Sequence, residues 1–170
     1  MEMTDKSKIV ICDAGPIIHL DELEQLSLLS DFNAVFITTT VLKEVKKHRI
    51  IDLSQSPFEV ISAPIVDSQL STFAKAFCLH EGEISALSFA RNKNNVLFLT
   101  DDAAARLAAT QMNLQVHGTL GILLRSVRCG LRSANEIKSC LKSIPYSSTL
   151  YIRKELINRA IKELEKYYDL

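Results

Sequence analysis

Carboxylates stand at four separated places in this chain. Asp13 ends the apolar run IVIC, Glu44 lies within VLKEV, Glu83 follows Gly82 in the segment HEGEIS, and Asp101 and Asp102 follow VLFLT, whose last residue is Thr100. Brought together without Lys or Arg between them, such acids would repel one another and hold protons more tightly unless they shared a cation. A hard divalent ion such as Mg2+ or Mn2+ removes that conflict, because it prefers carboxylate and water oxygens and keeps waters that can become nucleophiles. Each acid also has a local alternative. Asp13 and the Asp101-Asp102 pair can cap helices, Glu44 can pair with Lys47 or His48 along its own helix, and Glu83 suits a first helical turn. His19, His48, His80 and His117 lack metal-ligand spacing and are read as ordinary packed or surface histidines.

These acids require elements that deliver them to one place. The runs at 8–12, 34–37, 58–62, 96–100 and 114–116 are short, apolar and largely β-branched or aromatic, which predicts five strands. Helical patterns fall between them. Pro16 suits the first turn of a helix carrying Ile17, Leu20, Leu23 and Leu26 inward. The Thr38-Thr39-Thr40 run offers a cap for a helix over 41–48, with Val41 and Val45 on its buried stripe. Leu70, Phe73, Ala74 and Phe77 predict one helix, and a second starts near Gly82. Others are expected over 103–112, 120–129, 134–141 and 150–168, with a polar break at 144–149. Strand and helix alternate without Asn-Gly hairpins, so the expected fold is α/β: a three-layer αβα arrangement on a five-stranded parallel sheet, with extra C-terminal helices. In such a fold the crevice lies beyond the carboxyl ends of the strands, where Asp13 and Asp101-Asp102 emerge.

The chain has 170 residues, 47% hydrophobic and 24% charged. One globular domain over 1–170 is expected, with a core at about 8–130 and a helical extension at about 133–170. No apolar run is long enough to span a bilayer, and the polar residues 1–8 contain no signal-peptide core, so a cytoplasmic protein without membrane contact is expected. Cys12, Cys78, Cys129 and Cys140 form no C-x-x-C pair and are read as reduced thiols. The net charge of zero conceals an asymmetry: residues 1–31 carry Lys6 and Lys8 against seven acids, and the rest carries 18 bases against 13 acids. A nucleic-acid partner must therefore meet a local basic surface. Lys43, Lys46, Lys47 and Arg49 form one such cluster, and Arg125, Arg128 and Arg132 another. In the last helix Ile152, Leu156, Ala160, Ile161 and Leu164 form an apolar stripe ending at Tyr167 and Tyr168, suited to covering its own domain, a homodimer partner or an antitoxin groove.

The segments IVICDAGPIIHLDELEQLSLL, VFITTTVLKEV, HEGEISALSFA, VLFLTDDAAARLA and VHGTLGILL, in this order, resemble the PIN-domain superfamily, closest to a little-characterised prokaryotic branch. The resemblance covers about residues 8–130. It implies a five-stranded parallel sheet flanked by helices and a Mg2+- or Mn2+-dependent ribonuclease, some relatives being toxins of toxin–antitoxin pairs. It also implies metal-ligand roles for Asp13, Glu44, Glu83 and Asp102, with Asp101 close by and Thr100 bonding a ligand carboxylate or substrate. Many relatives carry Asp where Glu83 stands. Lys46, Lys47, Arg106, Arg125 and Arg128 are the candidates for contact with RNA. A response-regulator receiver would need a second acid beside Asp13 and a Lys after the fifth strand, and a haloacid-dehalogenase phosphohydrolase would need D-x-D at Asp13-Ala14-Gly15; neither pattern is present. The alternative of a different class is a PIN-like module that binds RNA or a protein partner without cutting.

Overall fold

The computed structural model describes residues 9–53 and 57–168. Lys6 and Lys8, the latter the first residue of the expected first strand, lie outside the described residues. Five strands form one parallel sheet: β1 (Ile9–Cys12), β2 (Val35–Thr38), β3 (Phe58–Ile61), β4 (Val96–Leu99) and β5 (Gln115–His117), in the order β3-β2-β1-β4-β5. The helices that flank it are α1 (Ala14–Glu22), α2 (Thr39–His48), α3 (Ser68–Ala76), α4 (Glu81–Ala90), α5 (Ala103–Gln111), α6 (Thr119–Arg128), α7 (Ala134–Ser147) and α8 (Lys154–Tyr168). A 3-10 segment, Leu26–Asp31, lies where the expected first helix would have continued. No helix among the described residues is long and apolar enough to cross a membrane.

The central strands are covered on both faces, which is why they read as continuous apolar runs. Val10, Ile11, Cys12 and all four residues of β4 are buried, and Ile17, Leu87, Ile122 and Leu123 fill the layers on either side. Each such side chain contributes on the order of 1.5–3 kcal/mol through loss of apolar surface to water. The helix α4 buries Gly82, Ser85, Ala86 and Ala90, small residues that let it sit close to α2 and β2.

Two boundaries differ from expectation. Helix α7 runs through Pro145 to Ser147 instead of stopping near Leu141, and Ile144 is buried. Proline so close to the helix end removes one amide from the ladder but still lets Ser148 N donate to Ile144 O at 3.2 Å. Helix α8 starts at Lys154, and residues 148–153 form a connector anchored to α1: Ser148 Oγ and Thr149 N each donate to Glu22 Oε2 at 2.7 Å. The inner face of α8 is Ile157, Ala160 and Leu164; Leu156, expected on that stripe, is 48% exposed, because the stripe packs on α7 one residue further round the helix.

Candidate active site

The sheet order reverses between β1 and β4, and the register Cys12↔Leu99 carries both chains out of the sheet at the same level. This is the switch point at which an α/β sheet opens a crevice. Asp13 N still donates to Leu99 O at 2.9 Å, so Asp13 is held directly beside Thr100. Thr100 is completely buried; its Oγ1 donates to Asp13 Oδ2 at 3.2 Å and accepts from Asp102 N at 3.2 Å. One hydroxyl therefore connects the two strand-end acids. Asp102 is exposed and caps α5 by accepting from Ala105 N at 2.8 Å through Oδ1.

Two acids approach from the neighbouring helices. Thr38 Oγ1 caps α2 at Val41 N and shares a 2.6 Å hydrogen bond with Ser85 Oγ, which ties the end of β2 to α4 inside the core. Across that junction Glu44 lies over Gly82: a methyl group there would collide with Glu44 Oε2 and would stand 3.7 Å from Asp13 Oδ1. Any side chain at this point would force the Glu44 carboxylate to move away. Glu44 makes no ion pair with Lys47 or His48. Glu83 is 7% exposed, and its Oε2 accepts from His80 N at 2.8 Å at the start of α4.

The electrostatics follow from this convergence. Asp13 is 6% exposed, and burial, reinforced by Glu83 and Glu44, raises its pKa to about 7 against the opposing pull of the Ala14 amide and the Thr100 hydroxyl. Glu83 is also raised, by burial first, and the nearby Asp102 charge adds to the effect while His80 opposes it. Burial pushes the Cys12 thiol well up, with Asp13 and Asp101 adding to it, so this residue is an inert core thiol.

Asp101 does not join the cluster. Its Oδ1 accepts from Thr119 N at 2.7 Å, and its Oδ2 is bonded to Thr119 Oγ1 at 2.6 Å and His19 Nδ1 at 2.8 Å. Both oxygens are spent on fastening α1 and the start of α6 to the end of β4. Asp101, expected close to the ligand set, thus has both carboxylate oxygens engaged by Thr119 and His19. His19 and Thr119 were not singled out in the sequence as members of the site; their separation from Asp101 in the chain left no local signal for His19, and the Thr119 contact depends on the turn after β5.

The basic residues divide similarly. Lys46 and Lys47 are exposed on α2, whereas Arg49 pairs with Asp21 at 2.6 Å. Arg106 is exposed on α5 and donates to Thr100 O at 3.0 Å, passing over Gly118. Arg125 is 5% exposed, paired with Asp31 at 2.7 Å and stacked over the Phe32 ring at 4.5 Å. It is thereby removed from the RNA-contacting set, since a buried, paired guanidinium cannot reach a phosphate. Arg128 remains exposed, while Arg132 bonds Gln25 and Ser27.

The donors around Asp13 are all carboxylate and hydroxyl oxygens, the chemistry a hard divalent ion prefers. The pKa of Asp13 is raised first by burial and then by the Glu83 and Glu44 charges, and an ion there would oppose both effects. Among the described residues, no group of three or more His, Cys, Asp or Glu side chains is already gathered in ligating geometry.

A family model described as a PIN domain matches residues 9–166. The match extends through α7 and most of α8, beyond the stretch that carried the motifs. Neither the curated proteins nor the solved structures contain a match to this chain.

Proposed function

The chain belongs to the PIN-domain family, and from that premise we propose that it is a metal-dependent ribonuclease that hydrolyses RNA phosphodiester bonds with Mg2+ or Mn2+. The supporting observation is the buried Asp13 carboxyl, raised to about 7 between Glu44 and Glu83 at the β1–β4 switch point. An ion bound there supplies positive charge at the scissile phosphate and a lowered pKa for its water. Asp13 and Asp102 would hold it directly. Glu44, lying over Gly82, and Glu83, at the start of α4, would orient its waters. Thr100 keeps the Asp13 carboxylate in one rotamer. Lys46, Lys47, Arg106 and Arg128 present charge to the RNA backbone. In a toxin, an antitoxin protein would cover this edge.

A second reading, a module that binds RNA or a protein without cutting, draws on one observation. Glu83 spends Oε2 on the His80 amide and Asp102 spends Oδ1 on Ala105, so two of the four acids already serve as helix caps. Labelled single-stranded RNA incubated with Mn2+, Mg2+ or EDTA separates the two. Metal-dependent cleavage abolished by both Asp13→Asn and Asp102→Asn establishes the nuclease; intact RNA under every metal, with RNA still bound, establishes the binding module.

A further inference from the structure

A groove of about 1110 Å³ leaves the acidic edge beside Asp101 and runs between α6 and α8. Its floor is apolar, with Leu120 and Leu124 from α6 facing Leu156 from α8. Its rim carries three guanidinium groups, Arg106, already anchored at Thr100 O, together with Arg153 and Arg159, against two acids, Asp101 at the mouth and Glu155 on α8, which leaves it net cationic. Arg153 and Arg159 are exposed, and neither is paired with an acid. Tyr151, 88% exposed, stands on the connector that Glu22 clamps to α1.

An apolar floor beneath a rim in which arginines outnumber acids fits a chain that alternates flat bases with phosphates. We propose that this groove binds single-stranded RNA flanking the bond to be cut, with Arg106, Arg153 and Arg159 on phosphates and Tyr151 stacked on a base. The assignment rests on the ribonuclease reading for its choice of RNA. An acidic edge repels a polyanion, so an RNA that reaches Asp13 needs compensating cations beside it, and the groove supplies them where it meets the end of β4. An exposed aromatic ring adds sequence-tolerant stacking, which suits a strand and not a duplex.

The test is fluorescence anisotropy with a labelled twelve-nucleotide single-stranded RNA in EDTA, paired with cleavage assays in Mn2+. The variants are Arg153→Gln with Arg159→Gln, Tyr151→Ala, and a control of Lys162→Gln with Lys166→Gln further along α8. All these side chains are exposed, and matched melting temperatures verify folding. The arginine pair should weaken binding about tenfold and make the salt dependence shallower by about 1.4 in log–log slope. Tyr151→Ala should weaken it about fivefold or more, and the control should leave it unchanged. If wild type cleaves through Asp13 but the groove variants bind and cleave as wild type does, the groove assignment falls and the nuclease stands. If no metal supports cleavage yet the arginine pair still loses affinity, the nuclease falls and the groove stands. Wild type that binds no RNA overturns the groove as an RNA site.

Discussion

Thr100 Oγ1 lies 3.2 Å from Asp13 Oδ2 and donates to it across the β1–β4 junction, while the same oxygen accepts from Asp102 N. A buried hydroxyl shared by two strand-end acids sets their relative position, which matters most if the two hold one ion. Thr100→Val preserves shape and removes both hydrogen bonds. It should cost about 1–3 kcal/mol of stability in thermal unfolding and lower RNA cleavage about 10–100-fold, whereas Thr100→Ser should keep most of the activity. Cleavage by the Val variant at the wild-type rate would remove Thr100 from the site.

The Asp13 carboxyl links stability to pH and to metal. Its pKa is about 7 in the folded protein against an ordinary 3.8, so the folded state binds this proton more tightly than the unfolded chain. That stabilisation is complete below pH 3.8 and disappears as pH rises through about 7. In EDTA, the Asp13 contribution should therefore fall between pH 4 and 7 by an amount on the order of 3 kcal/mol, and Asp13→Asn should be the more stable protein at pH 8. Mn2+ should raise the wild-type melting temperature at pH 8 and leave the Asn variant nearly unmoved. Equal metal responses from the two proteins would show that Asp13 is not a ligand.

Gly82→Ala separates stability from activity. The new methyl meets the end of a flexible Glu44 side chain, which can swing away, and alanine is the better helix former by about 1 kcal/mol. The melting temperature should hold or rise while Mn2+ affinity and cleavage fall, because Glu44 is displaced from Asp13. An Ala variant with unaltered Mn2+ titration and rate would show that Glu44 plays no part.

Asp101→Ala should behave in the opposite way. It strips Thr119 N, Thr119 Oγ1 and His19 of their acceptor, at a cost of about 2–4 kcal/mol. Any loss of cleavage at high temperature should be restored on cooling, with Mn2+ affinity unchanged. A stable Ala variant that has lost Mn2+ binding would return Asp101 to the ligand set.

Glu22 tests the clamp on the connector before α8. Burial pushes its pKa up, but the Thr149 amide and the Ser148 and Thr149 hydroxyls outweigh this and bring it below the ordinary 4.5. The sign is therefore the reverse of Asp13: the stabilisation is present above pH 4.5 and lost as pH falls below it. Glu22→Gln should lower stability at pH 7 by about 1 kcal/mol, and the difference should narrow toward pH 3 in urea titrations. A difference independent of pH would assign the effect to packing.

Much of this molecule was legible along the chain because the relevant forces are local. Runs such as IVIC and VLFLT, apolar at every position, belong to strands covered on both faces, and their alternation with helices specifies a parallel sheet whose functional edge carries Asp13 and Asp102. The Thr38-Thr39-Thr40 run marked the cap of α2 for the same reason, and the structure uses Thr38, starting the helix two residues before 41. What the sequence left open was the direction of polar side chains, because periodicity names the buried face of an element but not what will face it. Asp101 and Asp102 are adjacent, yet His19 and Thr119 claim one and leave the other beside Thr100. Arg125 looked like a surface cation until the 3-10 segment brought Asp31 and Phe32 against it. Glu44 reads locally as a partner for Lys47, and only the approach of α4, bare at Gly82, turns its carboxylate toward Asp13. Each of these outcomes depends on contacts between elements distant in sequence, where burial makes one arrangement of charges far cheaper than the others.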